Sequence, residues 1–482
     1  MRFKPPSDPS SIHGIQQADK HGLICLGTGS PANNETFESQ SEDCLFIDVY
    51  APTQATATSK LPVFFFIQGG GFVSNSNSNY NGSGLIEASD RSILVVTFNY
   101  RVGPYGFLTN GNQITPNNGL WDQVKALQWI QKHIHKFGGN PRHVVIGGDS
   151  AGAASVSYHL TRDRGNNHGL FVGAAAESVS FSTLLTVNQS QYLYDSFAIR
   201  AGCATTNSLA CLRSKSSQEL QSANVNLQPL PGAQNPQLFA WNPVIDGDFI
   251  SEITYDAYKN GHFVRVPVIV GDDTNGGTVF APRDTTTMPQ MNTFLHDQFP
   301  FLSLNDLEAI DRLYPNTNTS CPQPGCRWRQ VSAAYGDMRY KCPGLYINHQ
   351  YNSHGETASW AYQWNVEDPA QIADGVGVPH TVEVHAIFGP NNTHGQAPRS
   401  YYPGMSNSQA VAIAQAYWTS FIRTLDPNTY RVANSAKWTT YSKHDMRHLV
   451  VNSGGRTEMV AMPGKLRDAC NFFAEIGSRI KQ

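Results

Sequence analysis

Residues 143–152 of this chain read HVVIGGDSAG, and this stretch decides the fold. It begins with an apolar run of the length of a buried parallel strand, and residues 153–160 continue as a plausible helix. Between them lies Gly-x-Ser-x-Gly, the pattern of a sharp strand-to-helix turn that pushes its serine outward. The glycines are needed because this turn forces the serine into a sparsely allowed backbone region and leaves little space beside it. The stretch therefore predicts a nucleophile at Ser150.

The sequence around this turn alternates between strands and helices. Val63 to Ile67 and Ile93 to Phe98 are apolar throughout, as strands are when helices cover both faces of a sheet. Leu120 to Phe137 places its apolar residues at helical spacing and ends in a Gly-Gly-Asn-Pro turn. Further short apolar strands are predicted at 171–176, 266–270 and 360–364. This order predicts an α/β fold with a doubly wound, mostly parallel sheet.

The length of 482 residues fits one large domain with insertions as well as two or three smaller domains. Two stretches, about 185–240 and 283–355, are rich in Ser, Asn, Gln, Pro and Thr with short amphipathic pieces between them. Such a composition suits insertions that cap a cleft better than it suits separate domains. We therefore expect a single domain over 1–482 with two cap insertions.

Charge and hydropathy exclude several classes of function. The net charge is −3 at pH 7, 15% of the residues are charged, and Lys and Arg are scattered, so no nucleic-acid-binding surface is expected. No stretch approaches the roughly 18 apolar residues that cross a bilayer, so no membrane span is expected. The oligomeric state is left open.

Cysteines and glycosylation sequons favour the secretory pathway. The eight cysteines are an even number, which permits disulfides without fixing their pairing. The Asn-x-Ser/Thr sequons lie in polar, turn-like surroundings, at Asn34, Asn81, Asn188, Asn318 and Asn391. The first six residues lack the apolar core of a signal peptide. We therefore expect an extracellular protein whose signal is not part of this chain.

A glycine triplet, Gly69-Gly70-Gly71, follows the first predicted strand. In isolation such a triplet is more often a flexible turn. After a buried strand and upstream of the serine turn, it can supply backbone N–H donors, because without side chains a substrate can approach the backbone closely. Attack on an ester carbonyl places negative charge on its oxygen, which such donors stabilise. We expect the N–H groups of Gly70, Gly71 and Ala151 to form this oxyanion hole.

The motifs that accompany these two elements occur in a fixed order along the chain. They are SEDCL at 41–45, GGG at 69–71, NYRVG at 99–103 with GFL at 106–108, NGL at 118–120 with DQ at 122–123, FGGNP at 137–141, and the serine turn. Together they resemble the type-B carboxylesterase family, which includes cholinesterases and fungal extracellular lipases, over most of the chain. The resemblance implies the α/β-hydrolase fold and hydrolysis of a small-molecule or lipid-like carboxylic ester through an acyl-enzyme, with no cofactor.

The resemblance also implies disulfides and an N-terminal region that begins late. The family's pairings would be Cys25–Cys44 and Cys203–Cys211, and for the remaining cysteines we expect Cys321–Cys326 and Cys342–Cys470. Residues 2–6, RFKPP, resemble a signature that follows an N-terminal hairpin in the family. The first edge strands of the family are therefore expected to be missing.

His380 is the candidate general base among the sixteen histidines. A serine hydroxyl is a poor nucleophile unless a base removes its proton, and imidazole has a suitable pKa. The segment VPHTVE at 378–383 is similar to the family's catalytic histidine segment, and it lies late in the chain as expected. His380, Glu383 and His385 could instead be taken for metal ligands, but no further site with ligand spacing accompanies them. We expect no metal, and we expect Glu383 to support the histidine loop.

The acid of the expected catalytic triad is missing. In the family a Gly-x-Asn-x-Asp-Glu-Gly segment carries the glutamate that orients the histidine, and the matching stretch here is GDDTNGG at 271–277. Gly276 stands at the position of that glutamate. A glycine can neither hold the imidazole tautomer nor stabilise the imidazolium, and loss of the acid costs on the order of 10⁴-fold in turnover in serine hydrolases.

Several explanations of Gly276 remain open. Another carboxylate can replace the glutamate: Asp273 or Asp272 on the same loop, or Glu177 at the end of the preceding strand. Alternatively, the chain is an esterase of weak activity, or it uses its base and oxyanion hole for the non-hydrolytic chemistry of a cyclase or lyase in secondary metabolism. A non-catalytic binding protein is the last alternative, although retention of the serine and the histidine argues against it. Ester hydrolysis is our preferred interpretation.

Overall fold

A computed structural model describes residues 2–10, 13–75, 80–394 and 396–482. In this part of the chain the strands form a small two-stranded sheet, β1 with β2, and a nine-stranded sheet in the order β11-β10-β9-β8-β7-β6-β4-β5-β3. The strands are β1 Ile24–Cys25, β2 Gln40–Ser41, β3 Ile47–Tyr50, β4 Leu61–Ile67, β5 Leu94–Phe98, β6 Gly139–Asp149, β7 Gly173–Glu177, β8 Val268–Asp273, β9 Ser359–Asn365, β10 Arg447–Asn452 and β11 Arg456–Ala461.

The seven central strands of the large sheet run parallel, and the antiparallel β3 and β11 form its edges. This arrangement confirms the doubly wound α/β fold. The apolar runs explain it, because successive side chains of a strand point to opposite faces. Phe65 of β4 packs into one core layer, whereas Phe64 and Phe66 pack into the layer on the other face.

Helices cover both faces of the large sheet. They are α1 Asn34–Ser39, α2 Ser83–Ala88, α3 Gly103–Phe107, α4 Asn118–His133, α5 Ala151–Thr161, α6 Gln191–Arg200, α7 Ser208–Ser214, α8 Ser217–Ala223, α9 Thr254–Lys259, α10 Met288–Gln298, α11 Leu304–Leu313, α12 Trp328–Gly336, α13 Cys342–Ser353, α14 Pro369–Ala373, α15 Val384–Phe388, α16 Ser408–Thr424 and α17 Gly464–Gly477. A π-helical segment, Asp337–Lys341, joins α12 to α13.

One strand ends later than the sequence predicts, and this difference matters for the site. The strand expected at 266–270 is β8, Val268–Asp273, so Asp272 and Asp273 lie in the strand and not on a loop. Their backbone pairs with Gln363 and Trp364 of β9, which extends the ladder past the apolar residues. Because β6, β7 and β8 are parallel neighbours, Ser150 and these two aspartates lie at the same edge of the sheet.

Both stretches expected to form caps contain several helices. Residues 185–240 contain α6 to α8, and residues 283–355 contain α10 to α13, which contribute to a third apolar cluster. All eight cysteines are paired, as Cys25–Cys44, Cys203–Cys211, Cys321–Cys326 and Cys342–Cys470. These are the pairings named above. No helix in the described ranges is long and apolar enough to cross a membrane.

Candidate active site

Ser150 lies between β6 and α5 with φ 54° and ψ −117°, a backbone conformation that side-chain-bearing residues rarely adopt. The two flanking glycines are required by the packing of the turn. A Cβ on Gly152 would lie 1.9 Å from the backbone oxygen of Ile67, and one on Gly148 would lie 2.6 Å from the same atom. The Ser150 N–H donates to the carbonyl of Glu177 at the end of β7, 2.9 Å away. The tight turn thus holds the serine outside the end of the sheet.

The glycine triplet lies directly against this turn. A Cβ on Gly69 would be 3.0 Å from Ser150 Cβ, and the Gly69 N–H donates to Asp149 Oδ1 at 2.8 Å. Gly70 and Gly71 have φ values of 104° and 60°, which favour glycine. Their N–H groups have no acceptor among the residues that the structure describes. Two free donors therefore lie beside the serine, as an oxyanion hole requires.

Ala151 is the first residue of α5. The first N–H groups of a helix have no partner within the helix, and the positive end of the helix dipole lies there. The N–H of Ala151 is therefore a suitable third donor, directly after the nucleophile. The site residues Ser150, Gly70, Gly71 and Ala151 thus come from the ends of two neighbouring strands, β4 and β6.

The imidazole of His380 lies between two aromatic rings. Its ring centroid is 4.1 Å from that of Tyr340 and 5.2 Å from that of Phe280. Within the described ranges neither ring nitrogen has a hydrogen-bond partner, although both are buried. Burial, together with the positive charge of Arg339, lowers the pKa of His380 to about 3. The imidazole is therefore neutral, the form in which it can accept a proton.

Two carboxylates lie next to this imidazole. Oxygen atoms of Asp272 and Asp273 and a ring nitrogen of His380 all lie within 4.8 Å of one another. Ser178 Oγ is 2.8 Å from Asp272 Oδ1 and 3.1 Å from Asp273 Oδ2, so it can donate to either. The N–H of Thr381, the residue after His380, donates to Asp273 Oδ2 at 2.7 Å. The end of β8 and the histidine loop are thus joined directly.

The two aspartates differ in their electrostatic surroundings. The pKa of Asp273 is raised well above its ordinary value by burial and by the neighbouring charges of Glu383 and Asp272. Burial also raises the pKa of Asp272, but the positive charge of Lys341 opposes this shift. Each aspartate keeps one oxygen without a hydrogen-bond partner in the described part of the chain, Oδ2 of Asp272 and Oδ1 of Asp273. Asp272 is therefore the carboxylate more easily ionised.

Gly276 has no side chain, and the Asp272 carboxylate lies next to the space that a side chain would occupy. A Cβ at residue 276 would lie 3.3 Å from Asp272 Oδ1, 3.6 Å from Oδ2 and 3.8 Å from Tyr340 Cδ2. Asn275 ties this turn to the histidine loop, because its N–H donates to the carbonyl of Val378 and its Oδ1 accepts from the Val378 N–H. The carboxylate next to His380 thus belongs to Asp272, four positions before Gly276.

Glu177 is hydrogen-bonded to Trp418 and Gly148. Its Oε1 accepts from Trp418 Nε1 of α16 at 2.7 Å, and its Oε2 accepts from the N–H of Gly148 at 3.2 Å. The side chain is fully buried, and burial raises its pKa well above the ordinary value. Both oxygens are therefore used to brace the serine turn from behind, and Glu177 has a structural role in this arrangement.

Glu383, expected to support the histidine loop, is buried and hydrogen-bonded. Its Oε1 accepts from the hydroxyl of Tyr362 at 2.9 Å, and its charge helps to raise the pKa of Asp149, which burial brings to about 7. His385 instead hydrogen-bonds to Thr393 Oγ1 at 2.8 Å through Nδ1. Among the described residues, Asp272, Asp273 and His380 form the one group whose atoms are close enough to ligate a metal ion. Neither aspartate is hydrogen-bonded to the imidazole in this structure, so the two carboxylates are neighbours of His380 and not yet its partners.

Known proteins resemble this chain over nearly its whole length. The family model of the carboxylesterase family matches residues 1–471. The chain is 29% identical to Secreted lipase 4 of Gibberella zeae, over 92% of this chain and 80% of that protein. It is 30% identical to Lipase 1 of Geotrichum candidum, over 91% of this chain and 78% of that protein. The structure matches the crystal structure of Aspergillus niger EstA with a TM-score of 0.94 and 38% identity, covering 100% of this chain and 92% of that one.

These matches agree with the fold described above. The four disulfides fit an extracellular location. Two of the relatives are named secreted lipases, which fits the same location. The chain therefore belongs to the carboxylesterase family, has the α/β-hydrolase fold, and is a serine hydrolase that acts on carboxylic esters.

Proposed function

We propose that this chain hydrolyses carboxylic esters through an acyl-enzyme on Ser150, with His380 as the general base and Asp272 in place of the missing glutamate. The observation that carries the proposal is the strained turn at Ser150 with the unpartnered N–H groups of Gly70 and Gly71 beside it. A nucleophile and donors for the developing oxyanion then lie together before a substrate binds. Such preorganised donors typically supply a factor of about 10² to 10³ in turnover each.

The proposed reaction has two stages, acylation of Ser150 and hydrolysis of the acyl-enzyme. His380 accepts the proton of Ser150 Oγ as that oxygen bonds to the carbonyl carbon, and the carbonyl oxygen takes up negative charge facing Gly70, Gly71 and Ala151. The imidazolium then gives its proton to the leaving alcohol as the C–O bond breaks. A water molecule repeats the sequence on the acyl-enzyme and releases the acid, which restores the serine.

Asp272 is the proposed acid because it combines three features. Its carboxylate adjoins His380, it has one oxygen free of other donors, and Lys341 favours its ionised form. Asp273 has the first two features, but its pKa is raised further by Glu383 and Asp272, which favours its protonated form. An ionised carboxylate is needed because the imidazolium formed during attack must be stabilised in a buried site.

The proposal is tested by turnover of p-nitrophenyl butyrate and by labelling with a fluorophosphonate probe. Ser150→Ala is expected to abolish labelling and to reduce turnover by about 10³-fold or more. His380→Ala should slow labelling to a similar extent, because the hydroxyl then keeps its proton. Ser157→Ala provides a matched control on the same helix. The Ser157 hydroxyl contacts Tyr258 at 3.1 Å, away from the site, so both readouts should be retained.

Two outcomes would contradict the proposal. Turnover that is unaffected by Ser150→Ala would mean that another group attacks the ester. Labelling of Ser150 without any ester turnover would favour the cyclase or lyase alternative, in which the same pocket works without hydrolysis.

Secretion and glycosylation are part of the same proposal. The five sequon asparagines, Asn34, Asn81, Asn188, Asn318 and Asn391, are all exposed, as acceptor sites for glycans must be. Four disulfides require an oxidising compartment to persist. Expression behind a secretion signal in a eukaryotic host should yield enzyme whose mass falls on treatment with an N-glycosidase. An unchanged mass would refute the glycosylation.

A further inference from the structure

Arg339 is a buried cation that has no counter-ion among the described residues. It lies in the π-helical segment between α12 and α13, and only 6% of its surface is exposed. Its Nε donates to Ser180 Oγ at 2.8 Å, and no carboxylate of the described residues lies within 4 Å of its guanidinium. The two terminal nitrogens have no hydrogen-bond partner in these parts of the chain. Burying an unpaired charge is costly, so a position of this kind is expected to serve a ligand.

The guanidinium lies beside the active site. Its central carbon is 5.8 Å from the ring centroid of Phe239. The same ring packs against the glycine triplet, since a Cβ on Gly71 would be 2.1 Å from Phe239 Cδ1. The ring centroids of Phe239 and Phe280 are 5.9 Å apart, and those of Phe280 and His380 are 5.2 Å apart. One aromatic ring therefore separates Arg339 from the loop that is expected to hold the ester carbonyl.

Compensation of the buried aspartates does not account for Arg339. The cation that acts on Asp272 and Asp273 is Lys341, which also hydrogen-bonds to Asp337 Oδ1 at 3.2 Å. Arg339 instead acts on His380, whose pKa it lowers in addition to the effect of burial. An uncompensated positive charge that weakens the general base would be a disadvantage unless the substrate brings a negative charge to it.

We propose that Arg339 binds a carboxylate of the substrate, so that the preferred substrates are half-esters of dicarboxylic acids. The inference rests on the proposed function, because it assigns a substrate class to the same site. A guanidinium binds a carboxylate through two parallel N–H···O bonds, and the Nε bond to Ser180 leaves the terminal nitrogens for this purpose. Bound there, the carboxylate neutralises Arg339 and removes its effect on His380.

The first test uses the unmodified enzyme. Monoethyl glutarate and ethyl pentanoate have acyl chains of the same length and differ in a terminal carboxylate against a methyl group. Their hydrolysis can be followed by titration of the released acid at pH 7.5. We expect kcat/KM to be about 10- to 100-fold higher for monoethyl glutarate, as for a charge-assisted hydrogen bond in a buried site. Equal values, or a preference for ethyl pentanoate, would overturn the inference.

The second test compares variants. Arg339→Met keeps the aliphatic length over Phe239 and removes the charge, so the ratio of the two kcat/KM values should fall to about 1 or below. Arg339→Lys should retain part of the preference, because an ammonium keeps the charge but loses the two-point geometry. Arg162→Met is the matched control: Arg162 stacks on Trp121 at 5.0 Å at the far end of α5, and its loss should leave the ratio unchanged.

The outcomes separate a binding role from a structural one. If Arg339→Met lowers kcat/KM for both esters by the same factor, Arg339 is structural and the inference is wrong. If that variant does not fold, the preference of the unmodified enzyme and its partial retention in Arg339→Lys decide the question. Failure of the proposed function is distinguishable, since the unmodified enzyme would then hydrolyse neither ester and Ser150 would not be labelled.

Discussion

Strands β7 and β8 lie side by side, and each ends in buried carboxylates at the same edge of the sheet. Glu177 of β7 has both oxygens engaged, by Trp418 and by the N–H of Gly148. Asp272 of β8 keeps one oxygen without a donor in the described part of the chain and adjoins His380. The comparison teaches that the number of donors around a carboxylate, more than its place on a strand, separates a structural brace from a candidate catalytic acid.

The difference has a steric cause. At the end of β7, α16 brings the indole of Trp418 onto the carboxylate, and the serine turn adds a backbone donor. At the end of β8, the turn carries Gly276, so no side chain fills the space between Asp272 and the histidine loop. A side chain at 276 would begin in close contact with the Asp272 carboxylate, because its Cβ would lie 3.3 Å from Oδ1 and 3.6 Å from Oδ2. The glycine at 276 thus leaves this contact open.

The largest effect is expected from removing the charge at Asp272. Asp272→Asn should lower kcat for p-nitrophenyl butyrate by about 10²- to 10⁴-fold, because the imidazolium loses its buried anion. Glu177→Gln is the matched control on the neighbouring strand and should lower kcat by less than about tenfold, since Glu177 serves the fold. Steady-state kinetics of the two variants measures the contrast. A larger loss in Asp273→Asn than in Asp272→Asn would instead assign the acid to Asp273.

Moving the acid back to residue 276 should restore part of this loss. Gly276→Glu alone adds a second carboxylate on a residue whose Cβ would lie 3.3 Å from Asp272 Oδ1, and it is expected to lower kcat, because two buried like charges repel each other. Combined with Asp272→Asn, the same substitution should raise kcat at least about tenfold above Asp272→Asn, as the new carboxylate replaces the old one. If the double variant is no more active than Asp272→Asn, the space beside Gly276 does not lead to the histidine.

The hydrogen bond between Trp418 and Glu177 should contribute to the free energy of unfolding. Trp418→Phe leaves Glu177 Oε1 buried without its donor, so the free energy of unfolding should fall by about 1–3 kcal/mol. Urea denaturation followed by circular dichroism measures this change. Trp129→Phe, at a partly exposed ring on α4, is the control and should have a smaller effect. Equal losses in the two variants would show that ring volume matters and the hydrogen bond does not.

The last prediction concerns the pH dependence of stability. Burial raises the pKa of Asp149 from an ordinary 3.8 to about 7. Between these values the unfolded chain releases the proton while the folded chain retains it, so Asp149 makes stability fall as pH rises, by at most about 1.4 kcal/mol per pH unit. Asp149→Asn removes this contribution. The difference in Tm between the native protein and the variant should therefore shift in favour of the variant from pH 4 to pH 7, and a constant difference would contradict the raised pKa.

Local patterns in the sequence were sufficient for the fold and for part of the candidate site. The apolar runs of β4, β5 and β6 predict buried parallel strands, because burial on both faces requires apolar side chains at every position. The serine turn and the glycine triplet are equally local, since backbone conformation and close approach restrict their residues one by one. His380 required the family resemblance, because nothing in its immediate neighbours distinguishes it from other histidines. Its role, like those of Ser150 and the three N–H donors, stays a prediction until the variants are measured.

The ranking of the candidate acids and the pairing of buried charges depend on the tertiary structure. Glu177 and Asp272 both follow short apolar strands, and the sequence cannot rank them, because the donor that occupies Glu177 lies 241 residues away on α16. The charge of Lys341 that favours ionisation of Asp272 likewise comes from a distant segment. The same holds for the surroundings of Asp272 Oδ2 and of Arg339, which have no donor and no carboxylate, respectively, in the described ranges. Strand and turn propensities act over a few residues, whereas the protonation and hydrogen bonding of a buried group depend on everything packed around it.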